Sequence, residues 1–199
     1  MKKLALLLLA FLACRAEASI VTADFSVKSD LPYCERCADF YQGPLELKAR
    51  NQAVGDGIEL GANGMLANPS DWNGGIVHID LDPFARTVTL IGTDDYDFET
   101  FLASMSNIRF SGAERITGFT LVSNDMFVDL LTDERLDPLL AFGNNSLSIS
   151  IDARDGFYFT GGNAVFAYTT EAVEDVPEPA TLGLLAVGMA GLLARRRRT

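Results

Sequence analysis

Apolar and polar residues alternate at every second position in several segments between residues 19 and 170. In the first of these segments the apolar residues are Val21, Ala23, Phe25 and Val27. The same alternation recurs in residues 45–49. Because successive side chains of a β-strand point to opposite faces, a period of two predicts strands with one buried and one exposed face.

Two such segments flank a turn and predict a hairpin. Residues 77–81 alternate, Asp82-Pro83-Phe84-Ala85 has the composition of a turn, and residues 87–90 alternate again. Further strands are expected at residues 108–110, 116–122, 127–131, 147–151, 157–159 and 164–168. The best candidate for a helical turn is the segment from Phe98 to Met105.

Short strands separated by Gly, Asn and Asp predict an all-β domain over residues 19–170. We expect an antiparallel β-sandwich that resembles a jelly roll. Residues 171–176 are rich in acidic side chains and read as a stalk that follows the domain.

The first 18 residues have the three parts of a secretory signal peptide. Lys2 and Lys3 precede an apolar run from Leu4 to Ala13, and Ala16-Glu17-Ala18 is a small-x-small cleavage site. Cys14 leaves a lipoprotein signal as the alternative, although Phe11 stands where that signal usually has leucine.

The segment from residue 177 to residue 199 has the order of a membrane-sorting signal. Pro177-Glu178-Pro179 is followed by an apolar run without a charged residue as far as Ala194, and then by four consecutive arginines. A helix needs about 20 residues to span a bilayer comfortably, so this run is short for a permanent anchor. The positive-inside rule predicts that the arginines stay on the cytoplasmic side.

This tail resembles the sorting tail of PEP-CTERM proteins of Gram-negative bacteria. The resemblance implies that an exosortase, a membrane-embedded cysteine peptidase, recognises the tail, removes it and releases the protein to the envelope or to extracellular polymer. A plain C-terminal membrane anchor is the alternative. The resemblance assigns the sorting motif to Pro177, Glu178 and Pro179, and the stop during export to Arg195, Arg196, Arg197 and Arg198.

The segment between the two terminal signals is strongly acidic. It contains 9 lysines and arginines against 25 aspartates and glutamates, a net charge of −16. Such a surface repels the phosphates of nucleic acids and anionic membranes. It favours solubility and divalent, neutral or basic partners.

Few residues point to catalysis, and we expect no enzymatic activity and no catalytic residues. His78 is the only histidine and lies on the polar face of a predicted strand. The sequence has no Gly-x-Ser-x-Gly, no phosphate-binding glycine loop and no histidine cluster. Paired carboxylates such as Asp80 and Asp82 leave a glycosidase as a distant alternative, because pairs arise by chance in so acidic a chain.

Two smaller signals point to binding or stability. Cys34 and Cys37 are too few for a structural zinc site, and Ala38 replaces the histidine of a haem-attachment motif, so we expect a disulfide, with a redox motif as the alternative. The acidic loop with Asp94, Asp95 and Asp97 is the best candidate for calcium, with a solvated turn as the alternative.

Trp72, the only tryptophan, lies in a polar loop where its ring can stack on a sugar or cover one end of the sandwich.

Two functions follow from these observations. The first is a secreted, non-catalytic component of the cell surface or of the exopolysaccharide matrix, without a cofactor. The second is a carbohydrate-binding module that uses Trp72, with calcium as the only candidate ion.

We predict that Cys34 and Cys37 are joined to each other, because both are exported and no third thiol remains after the signal peptide is removed. Alkylation of the protein isolated from cells should label no cysteine before reduction and both after it, as read by intact mass. Free thiols in the unreduced protein contradict the disulfide.

Overall fold

A computed structural model describes residues 19–29, 45–62, 76–93 and 97–173. These residues form strands and turns, with no helix among them. The eleven strands are β1 Ile20–Ser29, β2 Leu45–Ala53, β3 Ile58–Leu60, β4 Val77–Asp82, β5 Thr87–Gly92, β6 Asp97–Phe110, β7 Glu114–Asn124, β8 Phe127–Asp129, β9 Leu139–Gly143, β10 Ser146–Phe159 and β11 Asn163–Ala172. The all-β prediction is confirmed. Within the described ranges, no helix is long and apolar enough to cross a membrane.

The strands form two antiparallel sheets. One sheet has the order β2-β1-β6-β10-β8. Strand β9 pairs with the same edge of β10 as β8 does, but at the opposite end of β10. The second sheet has the order β3-β4-β5-β11-β7. The long strands β6 and β10 lie at the centre of the first sheet and carry most of its pairing.

One hydrophobic core joins the inner faces of both sheets in a sandwich-like arrangement. Its centre in the first sheet is a group of phenylalanines, with the rings of Phe98 and Phe159 4.9 Å apart and those of Phe101 and Phe159 5.5 Å apart, edge to face. Such tilted and edge-to-face geometries are those that aromatic rings prefer. Phe166 and the apolar residues of β4 and β5 close the core from the second sheet.

The predicted hairpin is confirmed as β4 and β5. Its register runs from Val77 opposite Gly92 to Asp82 opposite Thr87. The carboxylate of Asp82 accepts the backbone N–H groups of Phe84 at 2.7 Å and Ala85 at 2.8 Å, which is how an aspartate closes a tight turn.

The predicted helical turn over Phe98–Met105 is wrong, because this segment belongs to β6. The buried residues Phe98 and Phe101 are three positions apart, a spacing that is also typical of a helix. Here the two exposed residues between them interrupt the alternation of a strand and do not form a helical turn. Opposite this segment, the pairing of β10 with β6 is interrupted between Asp152 and Phe157, where Gly156 has a φ of +86°. Beyond Phe101 the period of two returns, and pairing with β1 and β10 on both sides overrides the local signal.

The irregular part of β10 lies between two segments that the alternation pattern predicts as separate strands. Residues 147–151 and 157–159 are expected as two strands and form one continuous strand, β10. The short strands β3 and β9 have no counterpart among the predicted strands. The strand β11 continues to Ala172, into the segment predicted as a stalk.

The core predicts a contrast between two phenylalanines. Phe159 has 0% of its surface exposed, whereas Phe84, in the turn of the hairpin, is 81% exposed. We expect Phe159→Ala to lower the free energy of unfolding by about 3–5 kcal/mol, since it removes a ring and leaves a cavity. The matched control Phe84→Ala should change it by less than about 0.5 kcal/mol in urea denaturation. Equal losses for both variants contradict this core.

Candidate functional site

Most residues that the sequence singles out lie outside the described ranges. These are Cys34, Cys37, Trp72, Asp94, Asp95, Pro177, Glu178, Pro179, Arg195, Arg196, Arg197 and Arg198. Asp97 is described, and it is the first residue of β6, opposite Tyr158 of β10. The disulfide, the calcium loop and the tryptophan contact therefore stay predictions.

His78 has a structural contact in β4. Its Nδ1 atom accepts the backbone N–H of Ala62 at 2.9 Å, so the ring ties β4 to the chain that follows β3. Partial burial lowers the pKa of His78 and favours the neutral imidazole that this contact requires.

The carboxylate of Glu59, in the neighbouring strand β3, also binds backbone groups. Glu59 accepts the N–H of Leu81 at 2.8 Å and that of Gly55 at 3.2 Å, and burial raises its pKa. Burial, followed by the nearby carboxylates of Asp82 and Asp56, raises the pKa of Asp80. Among the described residues, no group of three or more His, Cys, Asp or Glu side chains is arranged to hold a metal ion.

A different group of polar residues converges around Asp24 on the outer face of the first sheet. The neighbouring strands β2 and β6 each carry one extra residue beside this part of β1. Such β-bulges bend a strand and redirect its side chains. Both bulges contain an asparagine in the left-handed region, Asn51 and Asn107, each at φ +50°, which asparagine tolerates better than most residues.

The Asp24 carboxylate links the two bulges. One oxygen accepts the backbone N–H of Asn51 at 2.6 Å, and the other accepts the side-chain amide of Asn107 at 2.7 Å. These hydrogen bonds, with Asn107 contributing most, lower the pKa of Asp24, and the positive charges of Arg50 and Arg109 lower it further. Asp24 is therefore ionised at neutral pH.

The bulges open a cleft of about 480 Å³, which we call the Asp24 cleft. Its polar lining consists mainly of Asp24, Arg50, Asn51, Asn107, Arg109 and Asn145. No salt bridge joins Arg50 or Arg109 to a carboxylate within the part of the chain that the structure describes. By contrast, Arg115 is paired with Glu171, and Arg135 lies 3.7 Å from Asp125.

The sequence contains only a weak signal for this cleft. In both bulged strands two outward residues follow one another, Arg50-Asn51 in β2 and Ser106-Asn107 in β6, so the alternation breaks at an asparagine. Such a break within a strand marks a bulge. It does not reveal that the two bulges flank the same residue of β1, because this depends on the order of the strands.

Comparison with family models finds a match to the PEP-CTERM protein-sorting motif at residues 175–198. The chain carries a PEP-CTERM sorting motif. The match contains Pro177, Glu178 and Pro179 together with the four arginines from Arg195 onward, so the resemblance seen in the sequence is confirmed. Comparison with curated proteins and with solved structures gives no match.

The PEP-CTERM motif indicates a secreted protein that exosortase sorts. It implies export, anchoring in the membrane before processing, and processing by this membrane peptidase. The match covers the tail alone, so the motif assigns no role to the β-domain or to the Asp24 cleft.

The Asp24 contacts predict a pH dependence of stability. Because the folded state lowers the pKa of Asp24 below the ordinary value of 3.8, its contribution is present above pH about 4 and is lost as the pH falls through the lowered pKa. Asp24→Asn should therefore lower the melting temperature at pH 6, and the difference from wild type should shrink toward pH 2. The control Asp137→Asn replaces an exposed carboxylate elsewhere on the surface and should leave the melting temperature at pH 6 close to that of wild type. A constant difference for Asp24→Asn at every pH contradicts the role of its charge.

Proposed function

We propose that the mature protein is a non-catalytic component of the cell surface or of the extracellular polysaccharide matrix. The observation that carries this proposal is the PEP-CTERM match at residues 175–198, which follows a β-domain with one shared core. Delivery by the tail and a compact, acidic domain suit a protein that acts by its location and its surface. We expect no cofactor and no binding of nucleic acid, because a polymer with a phosphate at every nucleotide is repelled along its whole length by the net negative charge.

The exosortase is the first partner of the chain. In this proposal the apolar run holds the precursor in the membrane and Arg195–Arg198 stop its export. Because a proline disfavours helix in the residue before it, we expect Pro177 and Pro179 to make the motif accessible to the peptidase. After cleavage the protein reaches the envelope, the cell surface or the surrounding polymer.

A carbohydrate-binding module is the second candidate. The Asp24 cleft favours it, since carboxylate, amide and guanidinium groups together line one open depression on the sheet. In this proposal the sandwich is jelly-roll-like, Trp72 stacks on a sugar ring, and calcium bound at Asp94, Asp95 and Asp97 supports the loop.

Processing of the tail tests the first proposal. Glu178→Ala should leave a longer precursor in the membrane, whereas wild-type protein should end between Val176 and Thr181. The matched control Glu174→Ala removes an acidic residue just before the matched segment and should be processed normally. The C-terminal peptide is identified by mass spectrometry of the surface and membrane fractions. Surface protein that still ends at Thr199 contradicts sorting by this motif.

A further inference from the structure

The Asp24 cleft is lined by both positively and negatively charged groups, so no simple anion or cation pairs favourably with all of them. Arg50 and Arg109 each present a guanidinium, a fixed positive fork that matches a carboxylate in geometry. Asp24 presents an ionised carboxylate, which accepts hydrogen bonds and repels anions. A matching ligand therefore carries both an anionic group and hydrogen-bond donors.

From this pairing of groups we infer that the Asp24 cleft binds a carboxylate-bearing sugar, such as a uronic acid unit within a polysaccharide. The arginines receive the sugar carboxylate, and Asp24 with the amides of Asn51, Asn107 and Asn145 receives the ring hydroxyls. This inference rests on the proposed function, because it names the polymer that the surface protein contacts.

The two arginines are available for a ligand. Each is exposed, and neither has a salt bridge to a carboxylate in the described ranges, although the chain is rich in acidic residues. The Asp24 oxygens each accept one hydrogen bond from the protein, from Asn51 and from Asn107. A carboxylate oxygen has two lone pairs, so each retains one acceptor position for a sugar hydroxyl.

The shape and the charge of the cleft also suit a polymer. The cleft lies where β1, β2 and β6 adjoin the turn between β9 and β10, and its lining residues Arg50, Asn51, Asn107, Arg109 and Asn145 are exposed, so a chain can enter and leave it. Locally the two arginines outweigh Asp24. The charges that shift the pKa of Asp24 are those of Arg50 and Arg109, with no second carboxylate among them. The acidic groups elsewhere in the domain oppose an anionic polymer at long range, and this repulsion is largely screened beyond about 8 Å at physiological salt.

Calorimetric titration of the protein isolated from the cell surface tests the inference with galacturonate trisaccharide as the probe. We expect wild-type protein to bind it, and Arg50→Gln and Arg109→Gln each to raise the Kd about tenfold, as expected for a lost hydrogen bond to a charged group. The matched control Arg154→Gln removes an exposed positive charge outside the cleft and should leave the Kd unchanged. Melting temperatures show that each variant is folded.

Three results with the sugar probes would overturn the inference. They are no binding of galacturonate by wild-type protein, equal binding of neutral galactose trisaccharide, and a Kd that the two cleft substitutions leave unchanged. Inorganic phosphate that binds as tightly as galacturonate overturns the assignment to a sugar, since phosphate lacks ring hydroxyls.

Sedimentation with isolated extracellular polymer separates this inference from the proposed function. Protein that binds galacturonate but does not sediment with the polymer contradicts the proposed function and supports the cleft. If wild type and the Arg50→Gln/Arg109→Gln double variant sediment equally, the proposed function stands and the role of the cleft is overturned.

Discussion

The shared hydrophobic core between the two sheets is the constraint on which the rest of the structure depends. Each strand must keep its apolar residues on the inner face, because a slip of one residue exchanges the two faces. In β1 the inward residues include Ala23, Phe25 and Val27, and in β6 they include Phe101, Ala103 and Met105. The polar residues of both strands are thereby assigned to the outer face, where Asp24 lies.

The bulges follow from the same constraint. In β6 the inward residues are Met105 and then Ile108, three positions apart, so the strand needs an extra outward residue to return to the core. Asn107 takes that position, and Asn51 has the equivalent place in β2. Asp24 accepts hydrogen bonds from both Asn51 and Asn107. The cleft therefore forms where the bulges of β2 and β6 lie on either side of β1.

Local patterns could be predicted from the sequence, and non-local ones could not. The β4–β5 hairpin was predictable because alternation and the Asp82 turn lie within a few residues of each other. The sorting motif was predictable for the same reason, since its parts follow one another along residues 175–198. The prediction for the first half of β6 was wrong because the strands that pair with β6, namely β1 and β10, are distant from it in the chain. The Asp24 cleft was missed because Arg50 and Arg109 come together only through the order β2-β1-β6.

The molecule thus divides its roles between a tail that determines destination and a β-domain that presents a surface. The most direct test of this division is to attach residues 175–199 to an unrelated exported reporter protein and to measure the mass of the reporter recovered from the cell surface. If the tail alone determines the destination, the reporter should have lost the apolar run and the arginines in cells with exosortase and should keep them in cells without it. A reporter that keeps the whole tail, while the native protein in the same cells loses it, would contradict this role of the tail.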